Sequence, residues 1–520
     1  MTIRRKMVAL AVAAACSGSA LAAPDDERAK IELLHETTLS LIQLLVEQGV
    51  LKQEAADAML KKAQQQAAEK AAQAQTAEAE ADKAVVRVTY VPEHVRNEIR
   101  EQIRQDVVAQ AKTERWGDIN AVPEWLDRLK WEGDIRLRYQ ADLFGEGNAP
   151  PSIFQTIGQD IDNTQEDRHR ERVRLRLGLN ANVVSGVDAG IRITTGNTSD
   201  PVSTNQTLGT TGNKYSLVLD RAFLRLTPLE GLSISGGRIP NPFFSTDLVW
   251  DGDLNFEGVA ATFRPWPDAE RVWRPFVTAG IFPLQEVDEN GIDVRAKDKW
   301  LVGIQGGTEW APSLTTRIKA GASYYDYRNI AGIPNPLFGN VFNNATAPQS
   351  RQKGNSLINI DNDGNNTTNL WALAADYRIA NLTLVADFAQ FDPIHVIGSV
   401  DWARNVGFDR AEILARTGQD IEPETDGYQV KLTVGYPKVN DFEKWQAFVG
   451  YRYLERDAVL DAFTDSDFYL GGTNAKGFFI GGSYGLYKNT WLSARWMSAD
   501  EISGLPLSID VFQLDLNAKF

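Results

Sequence analysis

Arg170, Arg172, Arg174 and Arg176 stand at alternate positions, interleaved with Val173, Leu175 and Leu177. A β-strand turns alternate residues to one face, so four guanidinium groups would follow one another at roughly 6.6 Å intervals. That interval is shorter than the roughly 8 Å screening length at physiological salt, so their fields overlap. The same inward parity in other segments adds Arg136, Arg138, Arg192, Arg264, Arg317, Lys319, Arg378, Lys431, Arg452 and Arg495. Acidic residues of that parity are fewer: Asp134, Asp188, Asp376, Asp387 and Asp515. Fixed charges lining a narrow aqueous passage select solutes by sign. The same arginines paired with loop carboxylates would select nothing, and both readings stand at this level. A matching acidic segment exists: Pro240 to Gly252 carries Asp247, Asp251, Phe243, Phe244 and Trp250, with Asp253 adjacent. Folded inward it would face the arginines as a constriction loop; left at a rim its aspartates would be solvated.

Other chemistry is poorly supplied. Gly481-Gly482-Ser483-Tyr484-Gly485 matches the hydrolase G-x-S-x-G pattern, but it lies within an alternating strand rather than a strand-to-helix elbow. The four histidines, His35, His94, His169 and His395, have no metal-ligand spacing. Asp361-Asn362-Asp363-Gly364-Asn365 misplaces the glycine of a helix-loop-helix calcium site and lacks its closing glutamate. Cys16 is the only cysteine. No catalytic residue, metal or cofactor is expected, and 54 Lys and Arg against 69 Asp and Glu argue against a nucleic-acid binder.

The elements that would position the arginines are strands. From residue 131 onward the repeating signal has period two, and sixteen segments carry it, beginning near 131, 168, 187, 215, 231, 254, 273, 299, 314, 369, 381, 426, 444, 475, 490 and 508. Most run nine residues or more, enough to cross a bilayer when tilted. Connections after strands 2, 4, 8, 10 and 14 are tight: Ser185-Gly186, Leu229-Glu230-Gly231, Ala311-Pro312-Ser313, Ala380-Asn381 and Lys488-Asn489. Those after odd strands are mostly long and polar, notably Ala141 to Asp167, Gly196 to Lys214, Asn329 to Thr368 and Pro393 to Thr425. An even strand number with short turns at one end and long loops at the other is the pattern of an outer-membrane barrel. Trp131, Tyr139, Trp300, Trp310, Trp371, Tyr377, Tyr428, Tyr436, Trp445 and Tyr453 fall near strand ends, where interfacial girdles belong.

Before residue 131 the composition changes: only Gly18, Gly49 and Gly117 of the 41 glycines, and only Tyr90, Trp116 and Trp125 of the aromatics, occur there. Arg4, Arg5 and Lys6, the apolar run Met7 to Ala15 and the Ala20-Leu21-Ala22 site, cut after Ala22, read as a signal peptide over 1–22, with a lipoprotein cysteine at Cys16 as the alternative. Ile31, Leu34, Thr38, Leu41 and Leu45, then Ala56, Leu60, Ala63, Ala67, Ala74, Ala77, Ala81 and Ala84, keep a 3-4 spacing that predicts an α-helical coiled-coil region within 23–130. It would lie in the periplasm, because it precedes a first strand that starts at the short-turn end. Helices with such a stripe need a partner surface, so a homo-oligomer, most simply a trimer, is expected.

The final strand alternates Phe512, Leu514, Leu516 and Ala518 with polar residues and ends in Phe520. It is similar to the C-terminal signal read by the bacterial barrel-insertion machinery. Leu44-Leu45-Val46-Glu47-Gln48-Gly49-Val50-Leu51, Arg115-Trp116-Gly117-Asp118 with Pro123-Glu124-Trp125-Leu126, and Gly237-Arg238-Ile239-Pro240-Asn241-Pro242-Phe243 resemble the putative porin family of Gram-negative bacteria. The resemblance implies an all-β barrel over 131–520 in outer-membrane lipid, behind a periplasmic helical region. The expected function is passive passage of small hydrophilic solutes, with weak anion preference. An envelope tether, with the barrel mainly an anchor for the helices, is the alternative.

Overall fold

Strands with one apolar and one polar face bury neither face alone, and a closed barrel in lipid solves this by turning them to opposite solvents. The computed structural model describes residues 128–520 apart from 268–270, 289–296, 338–341 and 363–367. The expected signal peptide and coiled coil lie outside the described residues. The sixteen barrel strands are β1 Leu129–Phe144, β2 Arg168–Val184, β3 Val187–Thr195, β4 Leu217–Leu229, β5 Leu232–Pro240, β6 Asn255–Phe263, β7 Trp273–Gln285 and β8 Lys299–Ser313. They continue as β9 Thr316–Arg328, β10 Arg378–Phe391, β11 Ile394–Asn405, β12 Asp426–Gly435, β13 Trp445–Leu454, β14 Ala475–Tyr487, β15 Thr490–Glu501 and β16 Ser508–Lys519. Each pairs antiparallel with its sequence neighbours, and β1 pairs with β16 from Asp134↔Lys519 to Phe144↔Ile509, which closes the sheet.

The outward face is apolar and exposed: Leu137, Ile191, Leu224, Val277, Ile304, Leu382, Val430 and Ile480 are each about half accessible. Such a belt would be a liability in water and suits hydrocarbon, where closure also leaves no backbone edge unpaired. Stacked pairs Trp273–Trp310, with centroids 5.3 Å apart, and Tyr428–Tyr453, 5.4 Å apart, sit on this face near strand ends. Gly186 makes the β2–β3 turn at φ +79°, where a side chain would be strained.

The buried core lies inside the barrel at the long-loop end, where loops pack on inward residues of the strands. Leu248, Trp250, Tyr325, Tyr377 and Ile413 are all at most 2% exposed. The sequence around 369–381 behaves differently from expectation. Ala380-Asn381 is not a turn but lies within β10; the reversal is at Asp392-Pro393, and the strands expected to begin near 369 and 381 begin at Arg378 and Ile394. Trp371–Leu373 instead forms a small hairpin with Leu357–Asn359. The alternation there is real, but it packs Ile358, Ile360, Ala372 and Ala374 into a loop core rather than facing lipid. For the same reason Trp371 and Tyr377 are not girdle residues, and the Tyr377 hydroxyl donates to buried Asp457 at 2.8 Å.

Candidate functional site

β1 and β2 present their polar residues to the interior in register: Asp134 opposite Arg176, Arg136 opposite Arg174, and Arg138 opposite Arg172. Like charges this close require matching carboxylates, and most find them. Arg174 and Arg176 share Asp134, at 2.8 and 2.7 Å. Arg170 pairs with Asp142 at 2.8 Å, and Arg138 grips Asp515 through two bonds of 2.7 and 2.9 Å. Arg192 pairs with Asp220, which also accepts from Asn255.

The third outward loop, residues 241–254, folds into the barrel. At its near end the Phe244 amide and carbonyl are both bonded by Gln305 of β8, and Lys319 of β9 lies 4.2 Å from the centre of the Phe244 ring. Thr246 donates to Asp401 of β11 at 2.6 Å, and Asp247 reaches Arg452 of β13 at 3.3 Å and Gln429 of β12 at 2.7 Å. At its far end Asp253 meets Arg176 at 3.0 Å and accepts from Thr204 at 2.9 Å. Burial alone would raise the Asp247 and Asp253 carboxyls, but Arg452 in the first case and Arg174 with Arg176 in the second hold them below the usual value. Asp251 departs from the expected role. It has no arginine partner among the described residues and caps the Asp253 and Ser466 amides at 2.7 and 2.9 Å. Burial, then repulsion from Asp465 and Asp253, raises it well above the usual range.

A second inward segment, the seventh outward loop at 455–474, escaped the sequence reading. Its Asp467 joins Arg138 at 2.9 Å, Arg495 at 2.5 Å and Gln513 at 2.9 Å, while Asp465 takes Arg452 at 3.1 Å. Burial would raise Asp467, yet Arg138, Arg495 and Arg136 drive it well below the usual range. The crowding of Asp457, Asp461, Asp465 and Asp467 in one long loop was the available signal.

Arg136 and Arg172 stay outside this matching, as does Arg221, which lies opposite Arg192 and bonds Asn255 at 2.7 Å. Arg136 bonds Asn205 at 2.5 Å and Arg172 bonds Gln140 at 3.3 Å; among the described residues neither pairs with a carboxylate, and the Nε of each is buried without a partner. The other expected wall residues divide. Lys431 faces inward over the Phe448 ring at 4.4 Å. Arg317, on Glu309 at 3.1 Å, and exposed Arg264 sit at the short-turn end. Arg378 is a correction: it is exposed at the start of β10 on the outward parity of Leu382 and Leu384, a consequence of the displaced strand. Arg238, in register with Ala222, also keeps the outward face and pairs with Glu257 at 2.5 Å. Phe512, Leu514, Leu516 and Phe520 share the outward face of β16. Phe520 exchanges backbone bonds of 2.9 and 3.0 Å with Gly133, whose missing side chain leaves room for the Phe520 ring.

A sequence profile described as putative porin matches residues 35–520. The chain belongs to the putative porin family. The family, the lipid-facing belt and the closed barrel together make it an outer-membrane channel protein. Among solved structures it is similar to Pseudomonas putida OprB (12% identity, 78% of this chain and 97% of that one, TM-score 0.43). It is also similar to Salmonella typhi OmpF (12%, 75% and 97%, 0.41) and to the Acinetobacter baumannii channel DcaP (11%, 75% and 97%, 0.39). A search of curated proteins finds no match.

Proposed function

We propose that this porin passes small hydrophilic solutes by diffusion, with a weak preference for anions carried by Arg136 and Arg172. The supporting observation is the balance of the inner wall: Arg138, Arg174, Arg176, Arg452 and Arg495 are matched by inward carboxylates, while these two are not. A passing carboxylate can take the place that a protein carboxylate leaves open. Converting both to Gln moves the reversal potential in a salt gradient toward cations, more strongly at low salt, whereas Arg174→Gln alone moves it less. An unchanged potential at intact conductance overturns the assignment.

How far the loops fill the interior favours a second reading, an envelope tether anchored by a plugged barrel. Planar-bilayer recording decides, since a plug gives no stable steps. In either reading we take the region before β1 to be periplasmic, because β1 starts at the short-turn end, and we expect assembly as a homotrimer; sedimentation of a strictly monomeric detergent complex contradicts it. The β16 apolar face, Phe512 to Phe520, is read as the surface offered to the insertion machinery. Phe520→Ser should lower the amount of heat-modifiable barrel in the outer membrane, and a normal level rejects this role.

A further inference from the structure

At the long-loop end, beside the third loop, lies a cavity of about 750 Å³ between the ends of β3 to β8 and the seventh loop. One side is apolar, formed by Phe256, Phe282, Leu284 and Phe463. On the lining, Gln285 Oε1 and Asp461 Oδ1 are buried and accept no hydrogen bond from the described residues, and Asp461 as a whole is 2% exposed. Buried acceptors left unpaired are costly, so a ligand that donates to them gains what the fold leaves unspent. The cavity's lysine, Lys299, already spends two of its three N–H donors on the Thr346 and Ala347 carbonyls, at 3.1 and 2.8 Å.

We propose that this vestibule binds a polyhydroxylated solute of sugar size, its hydroxyls donating to Gln285 and Asp461 and its C–H face lying on the phenylalanine side. The volume falls within the range of small-molecule sites. A polyol matches the mixed wall because it carries donors at its edge and apolar hydrogens on its face. An ammonium ion suits the site less well: burial raises the Asp461 carboxyl to about 7, against the pull of Arg351, so much of it is uncharged at neutral pH. The inference deepens the channel reading by naming a solute class. A neutral sugar and a sugar acid share the recognised chemistry, and only the acid would also engage Arg136 and Arg172.

The test is ion-current recording of the full protein with glucose or glucuronate added on the long-loop side, with calorimetry of the detergent-solubilised protein against the same two compounds. Concentration-dependent interruptions and measurable heat are expected. Gln285→Leu and Asp461→Leu should each raise the half-blocking concentration about tenfold or more for both compounds. Gln285 ends a strand, so its variant tests the site even if the buried Asp461 variant fails to assemble. Arg136→Gln with Arg172→Gln should change only the glucuronate response. A conducting channel with neither interruptions nor heat overturns the vestibule while leaving the channel reading intact. A barrel that does not conduct defeats the channel reading, and calorimetry then decides the vestibule alone. Heat from tetramethylammonium but not from glucose also overturns it.

Discussion

Two parts of the inner wall use the same strand geometry for opposite purposes. On β1, β2, β13 and β15 the inward positions include arginines held by aspartates from β1, from β16 and from two inward loops. On β8 to β11 the mid-strand positions are Gln305, Ser323, Asn381 and Thr383, with Asp401 as the buried charge. There Gln305 bonds Ser323 at 2.8 Å and Asn381 bonds Asp401 at 2.5 Å, so amides and hydroxyls satisfy one another and the one carboxyl, with no arginine taking part. The third loop spans both, bonded to Gln305 on one side and salt-bridged to Arg452 and Arg176 on the other. The fold dictates only that alternate residues point inward, and side-chain choice then makes one wall electrostatic and the other neutral.

The comparison breaks most easily on the charged side. Asp467→Leu leaves Arg138 and Arg495 without a shared partner. It should cost about 3–5 kcal/mol, read as a lower temperature for loss of the compact, fast-migrating form on detergent gels. A loss no larger than that from a neutral-wall substitution would erase the distinction.

Within the seventh loop, pH should separate two aspartates of opposite sign. Asp467, held low, contributes stability that is present above the ordinary carboxylate value of 3.8 and is lost only as pH falls through its lower folded value. Asp461, raised to about 7, contributes stability that is full below 3.8 and lost as pH rises toward 7. Amide protection in 455–474, taken relative to the base-catalysed intrinsic exchange rate, should therefore fall by up to about tenfold per pH unit between roughly 5 and 7. Asp461→Asn should flatten that dependence, and a slope that survives the substitution assigns it to another group.

On the neutral side Gln305→Leu should cost about 1–3 kcal/mol by stranding the Phe244 amide, and it should make conductance noisier as that end of the loop loosens. Smaller still is Lys319→Gln, which removes a cation from the Phe244 face at about 0.5–1 kcal/mol. Quiet, unchanged traces from both would show that the loop is held by its charged end alone.

Much of this was legible from residue types. Strand number, the short-turn end, the inward ladder at 170–176 and the acidic third loop follow from period-two alternation and from carboxylate placement. What was not legible has a common cause. Alternation reports that a strand has an apolar side, not what that side touches, so Trp371 to Tyr377 read as membrane strand while packing in a loop core. Pairing between Asp467 and Arg138 links residues hundreds of positions apart, and periodicity contains no information about such partners. Unmatched arginines such as Arg136 and Arg172 could be found only by subtraction, once the carboxylates had been given their places.

The seam between β1 and β16 joins the first barrel strand to the last. Contacts of that sequence separation form slowly, because the whole intervening chain must be confined before they return any free energy. Until β16 arrives, the β1 edge from Asp134 to Phe144 presents open backbone donors and acceptors beside a greasy face, a ready template for another chain. The protein therefore passes through an interval in which its own first strand is its chief aggregation hazard, and whatever escorts it to the membrane must shield that edge until closure.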